Sequence, residues 1–324
     1  MTAARLARRA LHSLLLLAGV SVLSFVLVDL APGDFFAEMR LDPRIAPATV
    51  QALRSRYGLD RPLPERYLRW LASLATGELG YSFAYGGPVG PLLWPRARNT
   101  IILTVTATAL AWALAVPLGA WWATRRRGPV DTVLAGLTAT LLAVPDLVLV
   151  LGLLLLAVRT GWLPAGGMLS LGHEQMSWGE RMRDVASHLV LPVTALVLGV
   201  LPVLVRYVRA SVAEALRAPF VRAARAHGIG ERRILLYHAL PAAANPLISL
   251  FGLTLAGLLS MSLLVEVVTS WPGLGPLLLE AILARDFHLV LGPVLASTLL
   301  LLVGNLLADA LLLATDPRIR AEER

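Results

Sequence analysis

The chain has 324 residues, 57% hydrophobic and 15% charged, with a formal net charge of +8 whose basic part is all Arg, since Lys is absent. Soluble domains carry about a quarter charged residues, so an ordinary soluble domain is excluded, and the Arg residues sit at the ends of apolar runs rather than in a nucleic-acid patch. Without Cys there are no disulfides, thiolate metal sites or cysteine nucleophiles, and without Lys there is no GxxxxGK-type loop, whose Lys must reach the nucleotide phosphates.

Six stretches reach the roughly 20 apolar residues that a membrane-crossing helix needs. In chain order they are 10–28, 99–124, 132–158, 185–205, 234–265 and 287–308. The first could be a signal peptide, but DLAPGD offers no clean small-x-small cleavage site, which favours a retained anchor. The loop 31–98 is predicted to be external and to hold two short amphipathic helices. One covers 47–57, with Pro47 in its first turn and Gly58 past its end. The other covers 64–75, with Tyr67, Leu68, Leu71 and Leu74 sharing a face.

Several of these stretches contain prolines (Pro117, Pro145, Pro192, Pro202, Pro241, Pro246), which predict kinks. The third stretch holds one acid, Asp146, directly after Pro145 and about 20 Å from the cytoplasmic end. A carboxylate there is costly and faces a cavity or a partner. It either lines the path and meets a cationic solute, or it caps the half-helix after Pro145 or pairs with an Arg of a second subunit. Glu266 closes the fifth stretch, with a structural tie or a solute contact as its two readings. In the SWPGLG that follows, Pro272 and Gly273 suit the central positions of a type II turn. A hairpin there, with Trp271 and Gly275, would form an outer gate.

Six crossings put both ends on one side. That side holds 16 Arg, against four in the two short opposite loops and nine in 31–98, which is long enough to escape the charge rule. Both ends are therefore predicted to be cytoplasmic.

Between the fourth and fifth stretches lies VRAARAHGIGERRILLYHALP. Residues 220–227 form about two helical turns. Gly228 stands where a helix closes with a left-handed residue, and Ile229 folds back on the last turn. Gly230 opens a new helix with Glu231 in its positive first turn, running through Leu235, Leu236 and Leu240 into the fifth stretch at Pro241. The surface presented would be Arg222, Arg225 and His227. A plain turn would suffice to join two spans, so the short helix looks built to be gripped; the alternative is a passive surface turn.

The same spacing resembles EAA-x3-G-x9-I-x-LP, the cytoplasmic-loop pattern of permease subunits of ATP-binding-cassette importers. Ala223, Ala224, Gly228, Leu240 and Pro241 match it, while Arg222 stands for the Glu and His238 for the Ile. Both departures fit the dipeptide/oligopeptide/nickel branch, whose version resembles ARAHG. APGD at 31–34, RYGLDRPLPERYLRWL at 56–71, GELGYSF at 77–83, SWPGLG at 270–275 and DPRI at 316–319 extend the resemblance along the chain.

The resemblance implies an all-α polytopic membrane protein with about six transmembrane helices, a long external loop after the first and a cytoplasmic coupling helix between the fourth and fifth. Residues 1–30 would be the cytoplasmic N-terminus and first helix, 31–98 the external loop, 99–315 the permease core with coupling loop 206–240, and 316–324 a cytoplasmic tail. Phe220, Val221, Arg222, Ala223, Ala224, Arg225, Ala226, His227 and Gly228, with Leu240 and Pro241, would couple to an ATPase. The chain would hold no cofactor, ATP and Mg being bound by partners. Those partners are a second homologous permease, two ATP-binding-cassette subunits and an extracytoplasmic substrate-binding protein in the inner membrane, with no nucleic acid. Arg61, Arg66 and Tyr67 of the loop 31–98 either meet the substrate-binding protein or form a solvated face. Peptides are the implied cargo, with nickel complexes or other small solutes as alternatives. A stand-alone secondary transporter is disfavoured because no inverted repeat is visible and only Asp146 lies deep. An intramembrane enzyme is disfavoured by the lack of HExxH and GxSxG motifs and of i,i+4 pairing among His12, His173, His188, His227, His238 and His288.

Overall fold

The computed structural model describes residues 3–31, 33, 35–36, 46–125 and 128–315, leaving part of APGD and all of DPRI and the tail 316–324 outside the described residues. In chain order the elements are α1 (Ala3–Leu30), α2 (Pro47–Arg56), α3 (Leu63–Ala75), the hairpin β1 (Tyr81–Ser82) and β2 (Gly87–Pro88), α4 (Val89–Thr124), α5 (Pro129–Ala143) and α6 (Asp146–Thr160). They continue with α7 (Trp178–Ala215), α8 (Pro219–Ala226), α9 (Glu231–Ile234), α10 (Ala244–Val268), α11 (Leu274–Leu283) and α12 (Phe287–Thr315).

Among the described residues, 11–30, α4, α7, α10 and 287–308 are each long and apolar enough to cross a membrane, and α5 with α6, a bent pair, makes a sixth if the two count as one span. Helix α4 starts at Val89, ten residues before the expected 99, and α7 extends past both ends of the expected 185–205; two further spans are interrupted. The third is broken by 98°. Val144, the residue before Pro145, sits at φ −82°, ψ 121°, because the proline ring drives its predecessor out of the helical region. The fifth begins at Ala244, not 234. Pro241 has no N–H to donate, and the chain runs through a π-helical turn, Leu235–Ala239, in which Leu240 N donates to Leu235 O. The short Leu240–Ala242 then leads to α10.

The chain divides into two compact units. One comprises Ile101–Trp271 with the chain from Val303 onward; the other comprises residues up to Thr100 with Pro272–Leu302.

In the first unit α7 is the central rod, packed by α5, α6 and α10. Leu103, Trp122, Leu196, Leu204, Leu258 and Trp271 form its main core. Helix α4 approaches α7 so closely at Gly119 that a Cβ there would fall 2.6 Å from Val208 Cβ and 2.8 Å from Val205 O. Next to this crossing Ala120, Val208 and Val212 pack with Ala239 and Ala243 of the π-helical connection. Ser177 and Glu180 start α7 with a reciprocal capping box. One turn on, buried Asp184 accepts from Ser170 N (3.0 Å), Ser170 Oγ (2.6 Å) and His173 Nδ1 (2.7 Å), which fixes the preceding loop.

In the second unit Trp70 is buried with Leu63, Tyr67 and Leu74 against Phe25, Phe287 and Leu291. The inner face of α3 is thus the 63–67–70–74 stripe, whereas Leu68 and Leu71, expected on that face, are exposed. The aromatic pair decides the rotation: Phe25 meets Tyr67 edge-on at 5.2 Å and Trp70 at 5.9 Å, and aromatic rings bury more area than two leucines. Arg66 pairs with Asp29 and lies 4.6 Å over the Phe287 ring, so it is a packing residue. Fully buried Asp286 ties the hairpin down, accepting from Ser82 Oγ (2.7 Å) and Ala84 N (2.9 Å). Its other oxygen caps α12 through Leu289 N (3.2 Å).

Candidate functional site

Pro219, whose fixed φ suits a first helical turn, starts α8 after extended Ala218. Val221 is the buried anchor of this eight-residue helix. Its other side stays open: Phe220, Arg222, Ala223, Arg225, Ala226 and His227 are exposed, and Ala224 is half-buried. Arg222 forms no hydrogen bond or ion pair among the described residues.

Closure of α8 is a Schellman motif. Gly228, at φ 76°, donates to Arg225 O (2.9 Å), and Ile229 N donates to Ala224 O (3.1 Å). His227 Nδ1 sits 2.9 Å from Ala223 O. Helix α9 starts two residues later, and its Glu231 receives Arg225 Nε at 2.6 Å and Nη2 at 3.0 Å. This fork raises the Arg225 pKa and lowers that of Glu231, each chiefly through the shared hydrogen bonds. Arg225 is therefore committed to Glu231, leaving Arg222 as the open cation of the helix. The fork also makes α8 and α9 one corner piece, whose continuation carries half-buried Leu240 and exposed Pro241. Such a piece, a small exposed patch on a rigid corner joined to α7 at one end and α10 at the other, can take a load and pass it to both helices.

Asp146 is exposed in the first turn of α6, the positive end of that half-helix. Its Oδ1 lies 3.4 Å from where a Cβ on Gly199 would stand, and Met261 fills the same notch. Residues of α6, α7 and α10 thus converge there. Glu266, in contrast, is fully buried, and its carbonyl accepts Trp271 N at 2.9 Å.

The expected SWPGLG hairpin is absent. Gly273 has φ −105°, ψ −159° rather than the positive φ of a type II turn, and it precedes α11, which contains Gly275. The left-handed residue is Ser270 (φ 53°), which closes α10 and leaves Trp271 fully buried. In the other unit Asn99 Nδ2 donates to Pro272 O (2.8 Å), and Leu274 N donates to Thr100 Oγ1 (2.9 Å). Thr100 thus supplies the cap that Gly273 lacks a side chain to make, which is why a helix forms here. Trp271, Pro272, Gly273 and Gly275 are helix-end residues, not a hairpin tip.

Three residues that sequence reasoning passed over also meet: Trp122 of α4, Asp131 of α5 and Arg209 of α7. The available signal was local, an acid in the first turn of a helix after Gly128-Pro129; its partners were not legible.

Residues 115–321 match the family model described as the inner membrane component of binding-protein-dependent transport systems, and residues 3–104 match the model for the N-terminal part of such components. The chain is 35% identical over 291 residues to the oligopeptide transport system permease protein AppB of Bacillus subtilis (strain 168), covering 89% of this chain and 90% of that one. It is 33% identical to the dipeptide transport system permease protein DppB of Escherichia coli (strain K12), over 85% of this chain and 86% of the other. It is also 33% identical to the oligopeptide transport system permease protein OppB of Mycobacterium tuberculosis (strain CDC 1551 / Oshkosh), over 97% and 98%. A solved chain of the MetNI methionine ABC transporter, in an inward-facing conformation, shares the fold with a TM-score of 0.57 at 17% identity, over 69% of this chain and 96% of that one.

Proposed function

Since the chain belongs to the family of inner membrane components of binding-protein-dependent transport systems, we propose that it is the permease subunit of an ATP-driven peptide importer and couples to separate ATPase subunits through α8. It forms half of the translocation path, a second homologous permease forming the other half, and an extracytoplasmic binding protein delivers the cargo. Two ATPase subunits carry ATP and Mg. Both chain ends and α8 lie on the cytoplasmic side of the inner membrane.

The observation that carries the coupling role is the corner itself. An exposed, basic two-turn helix is closed by Gly228 and braced by the Arg225–Glu231 fork, and neither feature is required merely to join two spans. The absence of Lys supports hydrolysis on a partner. The peptide cargo is supported by the relatives, which are named for dipeptide and oligopeptide transport.

Gly228→Val tests the coupling. A branched side chain in the left-handed region costs about 1–2 kcal/mol, which reopens the cap. ATPase co-purifying with the permease is expected to fall about tenfold, by that energy, while membrane insertion is kept. Unchanged co-purification and transport would overturn the assignment. Stimulation of the ATPase by binding protein loaded with dipeptides, oligopeptides or nickel chelates tests the cargo.

A further inference from the structure

Asp131 holds three helices with one oxygen. Trp122 Nε1 of α4 donates to Asp131 Oδ1 at 2.8 Å, Arg209 Nη2 of α7 donates to the same atom, and the Arg209 guanidinium lies 4.3 Å over the Trp122 ring. Trp122 is 1% exposed, and the ion pair is half-buried. All three belong to the first unit, and none is assigned a role by composition, motif or family pattern.

Their position gives the cluster a task. Arg209 stands on the last two turns of α7, ten residues before α8 begins at Pro219. Asp131 stands in the first turn of α5, the half-helix whose other end is the 98° bend leading to Asp146. Elsewhere α5 is held by a narrow stripe. Thr138 is buried and Leu134 and Leu141 are half-buried, while Val130, Val133, Leu137 and Leu142 are exposed. Apolar contacts of that kind let helices slide, whereas a charge-assisted hydrogen bond with a stacked guanidinium fixes distance and direction. Displacement of the end of α7 therefore reaches α5 most directly at Asp131.

We propose that Asp131, Arg209 and Trp122 form a transmission clamp that passes movement of the α7–α8 corner into the bent α5–α6 pair and so to the elbow at Asp146. Arg209 pulls on Asp131, and Trp122 holds both groups in register against α4. The clamp rests on the proposed ATPase coupling and adds to it the route by which the work enters the membrane.

The test uses the assembled transporter with its ATPases and binding protein, reconstituted in vesicles, and reads cargo moved per ATP hydrolysed. Asp131→Asn is expected to leave assembly and stimulated ATPase close to wild type while cargo per ATP falls at least about fivefold, the lower end of coupling energies between sites. Asp131→Glu restores the ratio, since it keeps the charge. Trp122→Phe, which removes one donor, gives a smaller loss. A merely structural role would lower assembly, ATPase and transport together, leaving their ratio unchanged. An unchanged ratio in both Asp131→Asn and Trp122→Phe overturns the clamp. Should Asp131→Asn fail to assemble, Asp131→Glu and Trp122→Phe decide: a ratio lowered in Trp122→Phe and kept in Asp131→Glu upholds the clamp, and any other pattern overturns it. If the wild-type permease moves cargo without ATPase subunits, the coupling itself fails and the clamp falls with it. A wild type that needs ATP, with clamp variants at the wild-type ratio, removes the clamp alone.

Discussion

Five helix ends among the described residues close with the same pair of backbone hydrogen bonds, with glycine at the left-handed position of α2 (Gly58), α3 (Gly77) and α8 (Gly228) and a larger residue at that of α10 and α11. Gly228 closes α8, Ser270 closes α10 and Arg285 closes α11, at φ 76°, 53° and 52°. The glycines adopt that conformation without a side-chain penalty, and Gly228 does so on an exposed corner, where packing cannot force the backbone. The two non-glycine caps are followed by fully buried residues, Trp271 and Asp286, whose burial holds them in place. Arg225 and Glu231 add the second residue-scale device. The Glu231 carboxyl is held below its ordinary pKa by the Arg225 fork, so its contribution to the corner is present above the unfolded-state pKa of about 4.3 and is lost as pH falls through the lower folded value. Glu231→Gln is therefore expected to reduce docking of the ATPase near neutral pH. The difference from wild type should shrink below about pH 4, as read by binding of purified ATPase across pH. Both side chains are largely exposed, so added salt should shrink the difference as well.

At the scale of elements, prolines and short polar caps decide where helices stop. Pro145 ends α5 and forces the 98° bend, and Pro241 precedes a break in the fifth span. The breaks at Pro145 and next to Pro241 were legible, since a proline inside an apolar run removes a donor, whereas Pro117, Pro192, Pro202 and Pro246 lie inside helices that continue through them. The sizes of the breaks were not legible, because a kink angle depends on what the two halves pack against. Helix α3 shows the same division. Its existence follows from Pro64 and its apolar spacing, but its rotation follows from Phe25, about forty residues away. Asp286 serves two elements at once, capping α12 and tying β1. Asp286→Ala is expected to cost about 2–4 kcal/mol, since it loses a cap and strands buried donors. Thermal unfolding of the purified protein measures it, and Ser82→Ala should cost less, about 1 kcal/mol.

At the scale of the whole molecule, five apolar spans and the bent α5–α6 pair agree with the inner membrane family to which the chain belongs. The proposed orientation has a direct test, because the chain has no Cys to interfere. Arg222→Cys and Leu171→Cys are both at exposed positions. A membrane-impermeant thiol reagent added from the extracytoplasmic side is expected to label Leu171→Cys and to spare Arg222→Cys until the membrane is opened. The reverse pattern would place α8 outside the cell and end the coupling proposal.

What the amino-acid order determined by itself was everything governed by near neighbours and by solvent. Apolar runs long enough for a bilayer, the helix stop at Gly228 and the lack of a GxxxxGK-type loop in a sequence without Lys need no knowledge of distant residues. Tertiary structure alone decided that Asp131 would meet Arg209, 78 residues away, that SWPGLG would lead into a helix capped by Thr100, and that Arg66 would lie over Phe287. Each of these depends on which helix comes to lie beside which, and burial makes the partner, rather than the local sequence, set the geometry.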